Sequence, residues 1–210
     1  MKTLLIGLTL SLVMPLMGKA QTEKGRWTIG TQLGNFTYQK QENGYSYFTG
    51  SVSPSVGYFV TDGLVVGTGI PLSFGSTRYG QYYASFYNLR QNSVSIGLAP
   101  FIRYYFGQAK LKPFVGIAYS YSRTTGNSKT DTAGGSESKT KGYTTAFTPT
   151  IGLAYFVTRN LGLTASLNYN INHVEYNTVQ TSPNTPGASM ANYTSRLASL
   201  AIGFQIFLGK

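Results

Sequence analysis

Between Ser55 and Gly69 the sequence SVGYFVTDGLVVGTG alternates with period two on both sides of Thr61-Asp62-Gly63, and neither face of the alternation carries a charge. Val56, Tyr58 and Val60 alternate with Ser55, Gly57 and Phe59. After the turn, Leu64, Val66 and Thr68 alternate with Val65, Gly67 and Gly69. Two such runs about an Asp-Gly turn predict a β-hairpin. A half-buried strand of a water-soluble sheet shows polar and charged residues on its outer face. Here that face offers Ser and Gly with an occasional ring, so one face of the hairpin meets a solvent other than water.

The pattern recurs along the chain. Alternation predicts strands over residues 27–34, 52–60, 64–72, 94–106, 113–121, 147–156, 161–169 and 200–208, eight in all. One face of each is Val, Ile, Leu, Phe or Tyr; the other is mainly Gly, Ser, Thr, Ala, Asn or Gln. Connections alternate as well: short turns at 61–63, 107–110 and 158–160, and long polar segments at 35–50, 75–92, 123–143 and 170–196. Short turns at one end and long loops at the other predict an all-β, eight-stranded antiparallel up-and-down transmembrane β-barrel. Glu42-Asn43-Gly44 between Tyr38 and Tyr45 is a further hairpin signal, so the first two strands are expected to project past the membrane. A lipocalin-like soluble barrel would reverse the faces, with an apolar pocket inside and charges outside. In hydrocarbon a closed barrel pairs every backbone N–H and C=O internally, which an open sheet cannot do.

Charge agrees with this placement. Charged residues make up 11 % of the chain, against roughly 25 % in soluble domains, and nearly all fall in predicted loops and turns. The start, MKTLLIGLTLSLVMPLMGKA, has a basic residue at Lys2, an apolar run ending near Met17 and small residues at Gly18 and Ala20. Residues 1–20 therefore read as a secretory signal peptide, too short for a span, and residues 21–210 as the barrel domain. Removing Lys2 and Lys19 from the 17 basic residues leaves 15 against 6 acids, a formal net charge of +9. For an exported chain the polyanion to consider first is lipopolysaccharide phosphate. With no Cys, there is no disulfide framework or thiolate metal site.

Aromatic positions sort by height. Tyr58, Tyr104, Phe106 and Tyr155 lie beside the short turns on the apolar face, and Tyr119, Tyr121, Phe147 and Tyr169 lie toward the long loops, as two interfacial girdles require. On the lumen face Phe59, Tyr105, Phe114, Phe156 and Phe207 share the short-turn end and are expected to plug it. Pro54, Pro71, Pro100 and Pro149 fall inside strands, where each removes a ladder hydrogen bond, so bulges or frayed pairing are expected there.

The stretches PSVGYFVTDGLVVG and LAPFIRYYF followed by KLKPFVGIAYSYS resemble the hairpins of the porin-family outer-membrane β-barrel domain, with the architecture of the small OmpA- and OmpX-type barrels. The C-terminal LASLAIGFQIFLGK is similar to the terminal strand read by the outer-membrane assembly machinery, though it ends in Leu208-Gly209-Lys210 rather than an aromatic. The resemblance spans the mature chain and implies an outer-membrane location with outward-facing long loops. It implies little about activity, because the family holds structural, adhesive and occasionally enzymatic members.

Few residues suggest chemistry. His173, the only histidine, shares parity with Glu175, but no Ser is placed beside them as a nucleophile. One His and six scattered acids make no metal cluster, and GLVVGTG precedes no helix and so is not a phosphate loop. No catalytic, cofactor-binding or metal residue is expected. Arg103 is the one charge that parity puts in the lumen, with Asp62 in the nearest turn as its expected partner. Arg78, Arg90, Arg123, Lys129, Lys139 and Lys141 fall in the second and third long loops among tyrosines and are the candidate surface contacts. An outward-facing loop meets lipopolysaccharide before nucleic acid, and nucleic acid is not expected as a partner. The reading is a non-enzymatic outer-membrane barrel with a closed lumen and a structural or surface-interaction role. No wall-binding domain is expected after the barrel. A narrow channel is the alternative, and a lipid-acting enzyme a more distant one.

Overall fold

A computed structural model of the chain describes residues 21–42, 44–79, 88–131, 136–181 and 187–209. The predicted signal segment lies outside them, as do Tyr82, Tyr83, Tyr87, Pro183 and Pro186. The strands are β1 (Trp27–Lys40), β2 (Ser46–Thr61), β3 (Leu64–Gly69), β4 (Leu72–Tyr79), β5 (Asn88–Tyr105), β6 (Leu111–Asp131), β7 (Ser136–Phe156), β8 (Leu161–Thr181) and β9 (Gly187–Leu208). All pairings are antiparallel. β3 and β4 are two parts of one barrel strand, interrupted at Ile70-Pro71, and the ring closes where β1 pairs with β9.

Register fixes the tilt. From Leu33 the cross-strand partners run Val52, Leu72, Ile96, Arg123, Tyr143, Glu175 and Asn192, yet Leu33 itself pairs with Ile202, ten residues from Asn192 along β9. Ten residues of about 3.3 Å over eight spacings of about 4.8 Å incline the strands by roughly 40°, within the range barrels use.

The two faces separate as the alternation requires. Ile151 is 58 % exposed and Ile202 65 %, whereas Phe59, Phe156 and Phe207 on the opposite face are 0 % exposed. A chain that shows its aliphatic residues to the outside and buries rings, Ser, Thr and Asn inside has its apolar solvent outside. No helix among the described residues is long and apolar enough to cross a membrane. The crossing is made by strands.

Two differences from the sequence reading have physical causes. The segments read as long loops are mostly strand: β6 runs to Asp131, β7 starts at Ser136, β8 runs to Thr181 and β9 starts at Gly187. Above the hydrocarbon both faces are wet, so the apolar half of the alternation is lost while the ladder continues. The register irregularities lie between Gly34 and Thr37 and between Phe59 and Thr61, not at the prolines. Asn35 takes a left-handed φ of 55° at the first, a conformation Asn tolerates. At the prolines the other expectation, frayed pairing, is what is found: they interrupt one flank each. Paired positions skip from Leu98 to Phe101 on the β6 side of Pro100, and from Phe147 to Thr150 on the β8 side of Pro149, with register unchanged. Pro71 marks the β3/β4 break, where its carbonyl accepts from Gly97 N at 3.0 Å and Ile70 N donates to Pro54 O at 2.8 Å.

Candidate functional site

The short-turn end of the lumen is filled by rings. Phe59, Tyr105, Phe114, Phe156 and Phe207 are each at most 2 % exposed and pack with Val65 and Ala154. Ring centroids lie 4.9 Å apart for Phe156 and Phe207, 5.3 Å for Tyr105 and Phe114, and 6.0 Å from Phe59 to both Tyr105 and Phe207. The glycines opposite make room. A Cβ on Gly152 would stand 2.4 Å from Phe114 Cζ.

Beneath the rings, the segment before β1 crosses the opening. Gly25 N donates to Phe59 O, Gly63 N to Thr22 O and Lys24 N to Asp62 Oδ1, at 2.8–2.9 Å. Arg26 donates to Phe207 O and to Asn160 Oδ1, each at 3.0 Å, tying this segment to the last strand and to the β7–β8 turn. Burial lowers its pKa and Glu23 opposes the shift.

Arg103 does lie in the lumen, directly above the rings, but it does not meet Asp62. The Asp62 side chain is taken by the Lys24 backbone and lies exposed at the turn. The guanidinium of Arg103 sits 4.6 Å from the Phe114 centroid and 5.5 Å from that of Phe101, and its Nη1 donates to the Tyr105 hydroxyl at 3.1 Å. That hydroxyl donates onward to Gln205 Oε1 at 2.7 Å. Nor is Arg103 the sole inward cation. Lys112 is 3 % exposed, lies 5.4 Å from the Phe156 ring and donates to Thr22 Oγ1 at 2.9 Å. Its parity with Phe114 was the available signal, since residue 112 must share the face of residue 114.

The candidate surface cations stand on strands, not loops. Arg78 is on β4, Arg90 on β5, Arg123 and Lys129 on β6, and Lys139 and Lys141 on β7. All six are exposed. Three of them join a row that sequence spacing did not suggest: Lys40, Ser46, Arg78, Arg90, Lys129 and Glu137 are successive cross-strand partners. Their parity is that of Phe48, Phe74 and Val94, so they point outward. Four cations here meet one acid, Glu137, whose Oε1 is 3.6 Å from Lys129 Nζ. Directly opposed like charges are destabilising. Arg78 and Arg90 stand four residues beyond Phe74 and Val94, about 10 Å further along the barrel axis at this tilt. That carries them past Phe74 and Val94, the last apolar residues of the outward parity on β4 and β5.

On the neighbouring outer face of β7–β9, Glu175 accepts from the Tyr143 hydroxyl, His173 Nε2 is 3.3 Å from Glu175 Oε1, and His173 Nδ1 is 3.4 Å from Thr194 Oγ1. The hydroxyl beside the imidazole is thus a threonine on a regular strand. Among the described residues, no group of three His, Cys, Asp or Glu could hold a metal ion.

The sequence matches the profile of the outer membrane protein beta-barrel domain across residues 6–208. No curated protein matches it. Among solved structures, the chain resembles the outer membrane protein OprG from Pseudomonas aeruginosa, with TM-score 0.60, 11 % identity, and coverage of 91 % of this chain and 99 % of that one. It also resembles a major outer membrane protein from Thermus thermophilus, with TM-score 0.55, 11 % identity, and coverage of 89 % and 100 %. Likeness at this identity speaks to the fold alone, and the fold is that of outer-membrane barrels.

Proposed function

The chain belongs to the outer membrane protein beta-barrel domain family and resides in the outer membrane, and from that premise we propose that it serves by contact and not by passage. It is a structural and surface-interaction barrel, with its long strand extensions outside the cell and its lumen closed to through-flow by the five rings. Non-enzymatic action fits the outer face, where the Glu175 carboxylate is shared between Tyr143 and His173 and the adjacent hydroxyl belongs to Thr194.

The observation that carries this reading is the outward row of Lys40, Arg78, Arg90 and Lys129. Arg78, Arg90 and Lys129 stand side by side on adjacent strands, with Lys40 one strand further on beyond Ser46, and Glu137 at the end of the row meets Lys129 alone, so an external polyanion would offset the remaining repulsion. Lipopolysaccharide offers phosphates, and a guanidinium takes a phosphate with two parallel hydrogen bonds. The assembly machinery, reading the last strand through Phe204 or Phe207, is the other partner this reading requires.

The test is thermal unfolding of the detergent-solubilised barrel with added lipid A, phosphorylated or stripped of phosphate. Phosphorylated lipid A is expected to raise the midpoint of the wild type and to do so far less for Arg78→Gln/Arg90→Gln/Lys129→Gln. Equal stabilisation by both lipids, or of both proteins, would remove the contact role assigned to this row.

A further inference from the structure

The lumen above the ring plug is a well with a charged floor. A cavity of about 470 Å³ extends from Arg103 toward the long-loop end, and a second of about 360 Å³ continues it, sharing Ser73, Ser95 and Thr124. The walls mix Ser, Thr and Asn side chains with apolar ones such as Phe101, Ala118, Ala146 and Val174, and the volume is that of a pocket for a small molecule. Among the described residues no carboxylate lines either cavity: Glu137 and Glu175 stand on the outer face, and Asp62 sits in a turn.

Arg103 is held in place yet left open. Phe101 and Phe114 flank the guanidinium, and the Tyr105 hydroxyl takes one of its five N–H donors. The next position across the ladder is Gly116, which has no side chain to cover it. Two strands on, Thr150 Oγ1 donates to Asn168 Oδ1 at 2.8 Å, which leaves the Asn168 amide nitrogen as a donor on the lumen face. A fixed guanidinium without a carboxylate partner, in a neutral well that also presents amide donors, is a receptor for an oxyanion.

We propose that this well binds a small hydrophilic oxyanion, a carboxylate such as a sugar acid or a phosphate group, which enters from the long-loop end and is held by Arg103 with its polar body among the Ser, Thr and Asn walls. The rings below make the site a terminus, so the ligand leaves by the way it came.

The experiment uses the full barrel refolded in detergent micelles, with folding judged by heat-modifiable gel mobility. The guanidinium Nε–H signals of arginine-labelled protein are followed as glucuronate, inorganic phosphate or glucose is added. A saturable shift with glucuronate or phosphate, absent with glucose, is expected, and whichever anion binds tighter identifies the source of the oxyanion. Arg103→Gln is expected to weaken binding by about tenfold or more, roughly one charged hydrogen-bonded pair. Ala99→Trp, which narrows the well above the guanidinium and leaves the charge in place, is expected to weaken it as well, and this variant carries the test if Arg103→Gln does not fold. No saturable shift in the folded wild type, an equal response to glucose, or unchanged binding in folded Arg103→Gln or Ala99→Trp would overturn the proposal.

Discussion

Arg78 and Arg90 face each other directly across the β4–β5 ladder, both exposed on the outer face, and Arg90 in turn faces Lys129 on β6. A directly opposed like-charge pair costs roughly 0.2–1 kcal/mol. In neutral detergent Arg90→Gln is therefore expected to raise the unfolding free energy slightly, by an amount of that order. In the presence of phosphorylated lipid A the sign is expected to reverse. Urea titrations in the two environments check this, and a variant that is destabilised in both would contradict it.

Phe207 joins the ring cluster to the N-terminal segment, through its contacts with Phe59 and Phe156 and through its carbonyl, which accepts from Arg26. Phe207→Ala leaves a cavity in a packed cluster and is expected to cost about 3–5 kcal/mol. Denaturant unfolding followed by the loss of heat-modifiable mobility reads this directly. A loss below about 1 kcal/mol, the scale of an ordinary surface change, would mean the rings do not pack as a unit.

The barrel, its two faces and the residues of the ring cluster were legible in the sequence, because those features rest on period-two alternation. Other features lay beyond it. The upper parts of β6–β9 carry Ser, Thr, Lys and Asn on both faces, so their strand character comes from the neighbouring ladder and not from any local pattern. The cationic row depends on register, which brings Lys40 and Lys129 into line from positions far apart in the chain. Proximity along the strands points to Asp62 as the partner of Arg103, and the N-terminal segment carries no signal that it takes Asp62 first.

Gly152, the cross-strand partner of Phe114 on β7, bears on the same packing. A Cβ there would lie 2.4 Å from Phe114 Cζ and 2.6 Å from Ala165 O, and the carbonyl cannot swing aside without breaking the β7–β8 ladder. Gly152→Ala is expected to cost about 1–3 kcal/mol, the range for overpacking a filled core. Refolding yield and urea unfolding test it, with Gly187→Ala, where nothing lies within 4 Å, as the neutral comparison.

His173 and Thr194 test the non-enzymatic reading. With His173 exposed and its Nδ1 at 3.4 Å from a threonine hydroxyl, His173→Ala and Thr194→Ala are each expected to leave stability within about 0.5 kcal/mol of wild type. Neither is expected to change the acyl-chain composition of the membranes that carry the protein. A change in lipid acylation that both variants abolish would establish an enzyme in place of a contact protein.

Contact without passage is the central claim, and current through the barrel in a planar bilayer is its most direct measurement. Wild-type protein of verified heat-modifiable mobility is expected to insert without conductance steps, and Phe59→Ala/Phe207→Ala, which opens the ring cluster, is expected to produce them. Steps from the wild type equal to those of the opened variant would contradict the account and make the lumen a channel.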